Sequence, residues 1–283
     1  MLQTTLVDID DLRVVRSISE TVTPITYHTF IFRIAIPSCI PSISEDNCHV
    51  PLPSVNLIDD INAAVSGEEV IAPIQYHKVM AQIAITFHRF SRRLRSRNLP
   101  AEQVVQDADA ELANLIDTMP SHLQPDGVHD TQRDEMYPWI AWQRWDLSLV
   151  FLYHRLYINR TLQKHWLATP QTLSGPRSIC LSSASGIVWV TQQSLQPIEK
   201  RRQWQAMRIQ KNEVFLANKN DRALSVHVVA AAVCLIYESK GQEPQVDDCR
   251  EQIKCCIEYL EAVKSWNKVA TKGLAIINTL LDS

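Results

Sequence analysis

YPWIAWQRWDLSLVFLY, residues 137–153, decides the fold class. Trp139, Ile140, Trp142, Trp145, Leu147, Leu149, Val150, Phe151, Leu152 and Tyr153 place apolar side chains nearly all round a 3.6-residue spiral. A helix apolar on every side belongs at the centre of its fold, with other helices packed around it. Residues 176–194 and 222–239 read the same way, with Val188, Trp189 and Val190 in the first and Val228, Val229, Ala231 and Leu235 in the second. Around these central segments the chain supplies amphipathic ones. Tyr76, Met80, Ile83, Phe87, Phe90 and Leu94 alternate four- and three-residue steps, the seam of a helix packed on a partner. Pro100 and Pro120 bracket another helix, with Val104, Ala108, Leu112, Leu115 and Ile116 inward and Asp107, Asp109 and Glu111 outward. Two closing helices are expected over about 246–264 and 268–282. The expectation is an all-α multi-helix bundle.

Length and composition agree. The 283 residues are 46% hydrophobic, enough for a sizeable core, and hold only 6 glycines. The expected organisation is an irregular segment over 1–20 and one helical domain over 21–283. Within it, Thr23-Pro24 opens an apolar stretch, Ile25 to Ile36, that Pro37 stops. Loops are expected near 38–66, 121–136 and 195–221. Pro125-Asp126-Gly127 marks the second as a turn between two halves of the domain. Glu199-Lys200-Arg201-Arg202 opens the least interpretable stretch.

Charge and cysteines narrow the function classes. There are 28 Lys and Arg against 31 Asp and Glu, net −3, without the basic excess that neutralises phosphates along nucleic acid. The one basic run, Arg89, Arg92, Arg93, Arg95 and Arg97, falls at a helix end, where cations complement the macrodipole. Seven cysteines and no apolar N-terminal signal point to free thiols in a reducing, intracellular compartment. The longest apolar run, Val228 to Tyr237, is shorter than the ~20 residues a membrane span needs. Cys249 and Cys256 share a helical face with Ile253, Ile257, Leu260 and Val263, and Cys256 reads as a small core hydrophobe.

One stretch carries a family likeness. Ser42 to Pro53, with the acidic turn Glu45-Asp46 and then Val50-Pro51-Leu52-Pro53, is a rigid extended strap, because each proline fixes its own φ and extends the residue before it. This strap resembles the signature of the regulatory middle homology region of fungal zinc-cluster transcription factors. Leu147 to Arg160 (LSLVFLYHRLYINR) resembles that family's buried Tyr-His helix, ending here in Asn159-Arg160-Thr161. Ser38-Cys39-Ile40 stands where the family carries Gly-Arg-Pro, and the Arg-rich first helices of the family domain are absent. The likeness therefore covers roughly the C-terminal two-thirds of such a domain. The cysteines form no compact basic zinc cluster of the kind that lets metal ions share thiolates, so this chain is not expected to bind DNA by itself.

The search for chemistry finds no Gly-rich phosphate loop, nucleophile elbow, HExxH or metal-ligand spacing; His77 and His88 stand eleven residues apart. No metal and no cofactor are expected. The polar residues that intrude on apolar helices are His154, Arg155 and His227. With Trp142, Trp145 and Tyr153, His154 forms the candidate ligand site, large apolar walls with a few polar groups suited to a hydrophobic small molecule. Two functions stay open. The first is a regulatory or ligand-binding domain that takes a hydrophobic small molecule or a protein partner, nuclear by family likeness, with a homodimer among the arrangements considered. The second is a cytoplasmic, cofactor-independent cyclase or isomerase of secondary metabolism, with His154 and His227 as candidate catalytic residues.

Overall fold

The computed structural model describes residues 71–72, 74–96, 98–125, 130–137, 139–169, 172–194, 214–240 and 246–282. The strap at 42–53, the apolar stretch at 25–36 and the basic run at 199–202 lie outside the described residues. Among those described are nine α-helices, one short 3-10 turn and no strand, so the all-α expectation holds. They are α1 (Ile74–Ser96), α2 (Ala101–Thr118), a 3-10 turn (Ser121–Leu123), α3 (Thr131–Met136), α4 (Trp139–Arg160), α5 (Gln163–Ala168), α6 (Ser174–Ser194), α7 (Val214–Ser239), α8 (Val246–Val263) and α9 (Lys268–Asp282).

The chain forms two compact units, 1–88 and 89–283, whose boundary falls within α1. In the first, the expected seam is buried at Tyr76, Met80, Ile83 and Phe87. The Gln75 side chain accepts from the Ala72 backbone N–H at 3.0 Å and so caps the start of that helix. In the second, the basic end of α1 is spent on local ion pairs. Arg89 meets Glu111 at 3.3 Å and Arg93 meets Asp107 at 3.6 Å, all four side chains well exposed.

Helix α7 is the hub of the second unit, packing on α4, α6, α8 and α9, while α4 packs on α2, α6 and α7. Val228, Ala231, Ala232, Cys234, Leu235 and Ile236 of α7 are all buried. Small residues let neighbours approach it. A methyl added at Gly273 of α9 would run into the Val229 side chain, a β-branched group stiff about its first torsion. Gly186 of α6 faces the flexible end of Leu152, where an added carbon would lie 2.9 Å away. Asn267 fixes the start of α9. Its Oδ1 accepts from the backbone N–H groups of Val269 and Ala270, while its Nδ2 donates to Ser225 Oγ on α7 at 2.8 Å. The expected seam of α8 is realised, with Cys249, Ile253, Cys256, Leu260 and Val263 buried. Burial pushes the Cys256 thiol up to about 12, and the neighbouring Cys255 adds to that.

Three expectations are corrected. Asp109 points inward. Arg155 of α4 grips its carboxylate with two hydrogen bonds of 2.9 and 2.8 Å, and Asn159 Nδ2 adds a third at 3.0 Å. A carboxylate is tolerated there because its charge is paired and its oxygens are satisfied. The hydrogen bond that Arg155 donates to Asp109, first among the causes, raises its guanidinium above the ordinary range, while burial opposes it. Trp189, read as part of an all-round apolar helix, is 63% exposed. The segment 121–136 is not simply a loop, since it holds the 3-10 turn and α3. The Asp130 side chain accepts from the Arg133 N–H and caps α3. Arg144 then ties this segment to α4, donating to His122 O at 3.1 and 3.0 Å and to both Asp134 oxygens at 3.0 and 3.1 Å.

Candidate functional site

Tyr153 of α4 and His227 of α7 lie ring against ring, centroids 4.5 Å apart and planes 30° from parallel. The contact exists because both helices are apolar on the facing side and neither can hide a polar ring except against another ring. His227 is buried and Tyr153 half-buried. The phenol of Tyr153 is pushed up to about 12, first by burial and then by Tyr157, with Arg160 pulling the other way. Burial raises Tyr157 too, again against Arg160. Burial thus makes less acidic a phenol that is protonated at neutral pH in any case.

At about 100° per residue, Trp142, Trp145, Tyr153, Tyr157 and Arg160 share roughly one third of the circumference of α4. Trp142, Trp145, Tyr153 and Tyr157 are each half-buried. The aromatic residues on this face form two groups and not one strip, since Trp145 stands about 12 Å from Tyr153 along the axis, eight residues at ~1.5 Å each, with the buried Asp146 and Leu149 between them. Tyr153, His154 and His227 form a compact group. Tyr157 belongs beside it, its ring 6.2 Å from that of Tyr153. Its position four residues after Tyr153 was available to a reading of helical spacing. Arg160 Nη1 donates to the Ala230 carbonyl at 3.4 Å, a second polar link between α4 and α7.

His154 sits edge-on to Tyr153, centroids 5.4 Å apart and planes at 85°. Its Nδ1 lies 2.7 Å from the Val150 carbonyl of its own helix. A carbonyl can only accept, so Nδ1 carries the hydrogen and the tautomer is fixed. The three groups can offer a ligand wide apolar faces, a phenol donor and imidazole edges.

The buried thiols contribute no comparable site. Cys180 and Cys234, reduced, have their sulfurs 3.4 Å apart between α6 and α7. The hydrogen bond from Cys234 and burial drive the Cys180 thiol far up, which keeps it unreactive. Among the described residues no three His, Cys, Asp or Glu side chains are grouped to hold a metal ion. No helix among them is long and apolar enough to cross a membrane. Comparison with family models, with curated proteins and with solved structures finds no match to the chain.

Proposed function

We propose that this chain is a helical ligand-binding domain of the regulatory kind that its strap and Tyr-His helix resemble in fungal zinc-cluster factors, and that its ligand is a hydrophobic small molecule. The observation that carries this reading is the Tyr153–His227 stack on the half-buried aromatic face of α4. Broad rings supply contact area at little cost in side-chain entropy, and a few polar edges fix orientation. The net charge of −3 brings no overall basic excess, which fits a module that reports on a ligand to a protein partner or to a second copy of itself. By the same likeness its compartment is the nucleus.

One observation favours a second reading, a cofactor-independent cyclase or isomerase working in the cytoplasm. A phenol beside two imidazoles can hydrogen-bond a charge that develops on a substrate. A single experiment separates the two. The purified chain is incubated with an organic extract of a source strain lacking its gene, and both retained compounds and the supernatant are analysed by mass spectrometry. A compound retained unchanged by the wild-type chain, and lost from Tyr153→Ala, supports the regulatory reading. A new isomer formed only with the protein supports the enzyme. Retention that Tyr153→Ala leaves untouched removes this site from both.

A further inference from the structure

Three arginines that turn into this fold each meet a carboxylate. Arg144 of α4 reaches Asp134 at 3.0 Å, Arg155 of α4 reaches Asp109 at 2.8 Å, and Arg177 of α6 reaches Glu238 at 3.1 Å. Arg160, the last residue of α4, is half-buried like Arg155 but is not matched in this way. Among the described residues it makes one hydrogen bond, from Nη1 to the Ala230 carbonyl of α7 at 3.4 Å, and no ion pair. A guanidinium is a fork of N–H donors with a full positive charge, and one long bond to a neutral acceptor leaves the charge and most of the fork to be met by solvent or by a ligand.

The position of Arg160 joins it to the ring cluster. Tyr157 lies beside Tyr153, their rings 6.2 Å apart, and Arg160 follows Tyr157 by three residues, one turn along the same face of α4. On α7, Ala230 follows His227 by the same three residues. From the Tyr153–His227 stack, both helices thus lead in the same direction to the guanidinium. Its positive charge acts on both phenols, opposing at each the rise that burial causes. Resting on the reading of this face as a ligand site, we propose that its ligand is a hydrophobic acid, with an apolar body against Tyr153 and His227 and a carboxylate paired with Arg160.

A carboxylate suits this end of the face better than other polar groups. With Nη1 turned to Ala230, Nε and Nη2 of Arg160 remain as a pair of donors. Arg155 uses that same pair, Nε and Nη2, to grip both oxygens of Asp109. Planar forks of this kind match carboxylates bidentately, and bonds between two charged groups are the strong ones. A phosphate monoester, carrying about −1.5 to −2 near neutral pH, would leave part of its charge unmatched by a single cation among apolar helices. A neutral amide would leave the guanidinium charge uncompensated.

Calorimetric titration of the whole chain with 2-naphthoate and with its neutral isostere 2-naphthamide tests this. The wild type should bind the acid about tenfold tighter than the amide, the difference expected of one charge-assisted contact. Arg160→Gln should bring the acid down to the affinity of the amide, and Tyr153→Ala should weaken both probes. The comparison within the wild type needs no variant, so it stands even where Arg160→Gln disturbs the contact with Ala230. Amide bound as tightly as acid by the wild type, or a preference for the acid that survives Arg160→Gln, overturns the inference; binding of both probes that still depends on Tyr153 then leaves the ligand face standing. Failure of both probes to bind, or binding that Tyr153→Ala leaves untouched, removes the ligand face and this inference with it.

Discussion

The middle and the C-terminal end of α7 treat polarity in opposite ways. Near its middle, His227 lies flat against Tyr153, and the polar atoms of both rings sit at the edges of a half-buried aromatic group. Eleven residues further on, Glu238 is buried and gathers donors from two other helices. Trp166 Nε1 reaches it at 2.6 Å and Gln163 Nε2 at 3.2 Å from α5, and Arg177 Nε at 3.1 Å from α6. The second is a lock, polarity spent wholly inside the protein. The first keeps its polar groups among rings that a ligand can share. A buried carboxylate with a full set of partners therefore marks architecture, whereas a phenol and an imidazole stacked on each other mark a place to look for function.

The lock is where the largest effect is expected. Glu238→Ala leaves Arg177 and the Trp166 indole N–H without their acceptor, and loss of one partner of a buried pair costs about 3–5 kcal/mol. Urea unfolding of this variant should show that loss. A change under about 1 kcal/mol would mean that water replaces the carboxylate readily and that Glu238 locks nothing. Gly273→Ala, at the other contact of α7, should cost about 1–3 kcal/mol because Val229 is stiff about its first torsion. Gly186→Ala should cost less, since the end of Leu152 can turn aside. Equal effects at the two glycines would show that side-chain stiffness is not what sets the approach of helices to this core.

At the Tyr153 end the expected signature is one of pH. In a spectrophotometric titration of the folded chain, the exposed tyrosines should ionise near ~10. Tyr157 should ionise later than these and Tyr153 should lag to about 12, and Tyr153→Phe should remove the step at about 12 while leaving that of Tyr157. The sign follows from linkage. The phenol ionises more easily in the unfolded chain, so Tyr153 stabilises the fold fully below ~10, and that contribution is lost as pH rises toward 12. A single ionisation step near 10 for every tyrosine would place the phenol in solvent.

Much of this fold was legible in the sequence, for a physical reason: long helices that bury one face must repeat apolar residues at three and four. The seam at Tyr76, Met80, Ile83 and Phe87, the bracketing of α2 by Pro100 and Pro120, and the buried row Ile253, Cys256, Leu260 and Val263 all follow that rule. Asp109 and Trp189 broke it. An aspartate can point inward once Arg155, forty-six residues away, supplies a matching fork, and periodicity carries no information about a partner so distant. Trp189 sits among apolar neighbours but on the sector of α6 that carries serines, a pattern in the small residues and not in the large ones. The short helix α3 depends on one cap, Asp130, that the neighbouring turn residues masked.

The candidate site was legible in part. Tyr153, His154 and His227 are polar interruptions of apolar helices, and they do come together. Which way each ring faces was not, because consecutive helical residues diverge by about 100° and His154 turns back to the Val150 carbonyl. Tyr157 and Arg160 complete the same face and were signalled only by spacing from Tyr153.

The central claim is that the α4 face takes a hydrophobic ligand, and the melting temperature of the chain with the compound it retains tests this most directly. A ligand that binds only the folded state stabilises it by mass action. The wild-type chain should melt at progressively higher temperature as the compound is added, His227→Ala should show a much smaller rise, and Ser182→Leu, at an exposed position of α6, should show the same rise as the wild type. A rise of equal size in wild type and His227→Ala would contradict the account and move the ligand elsewhere.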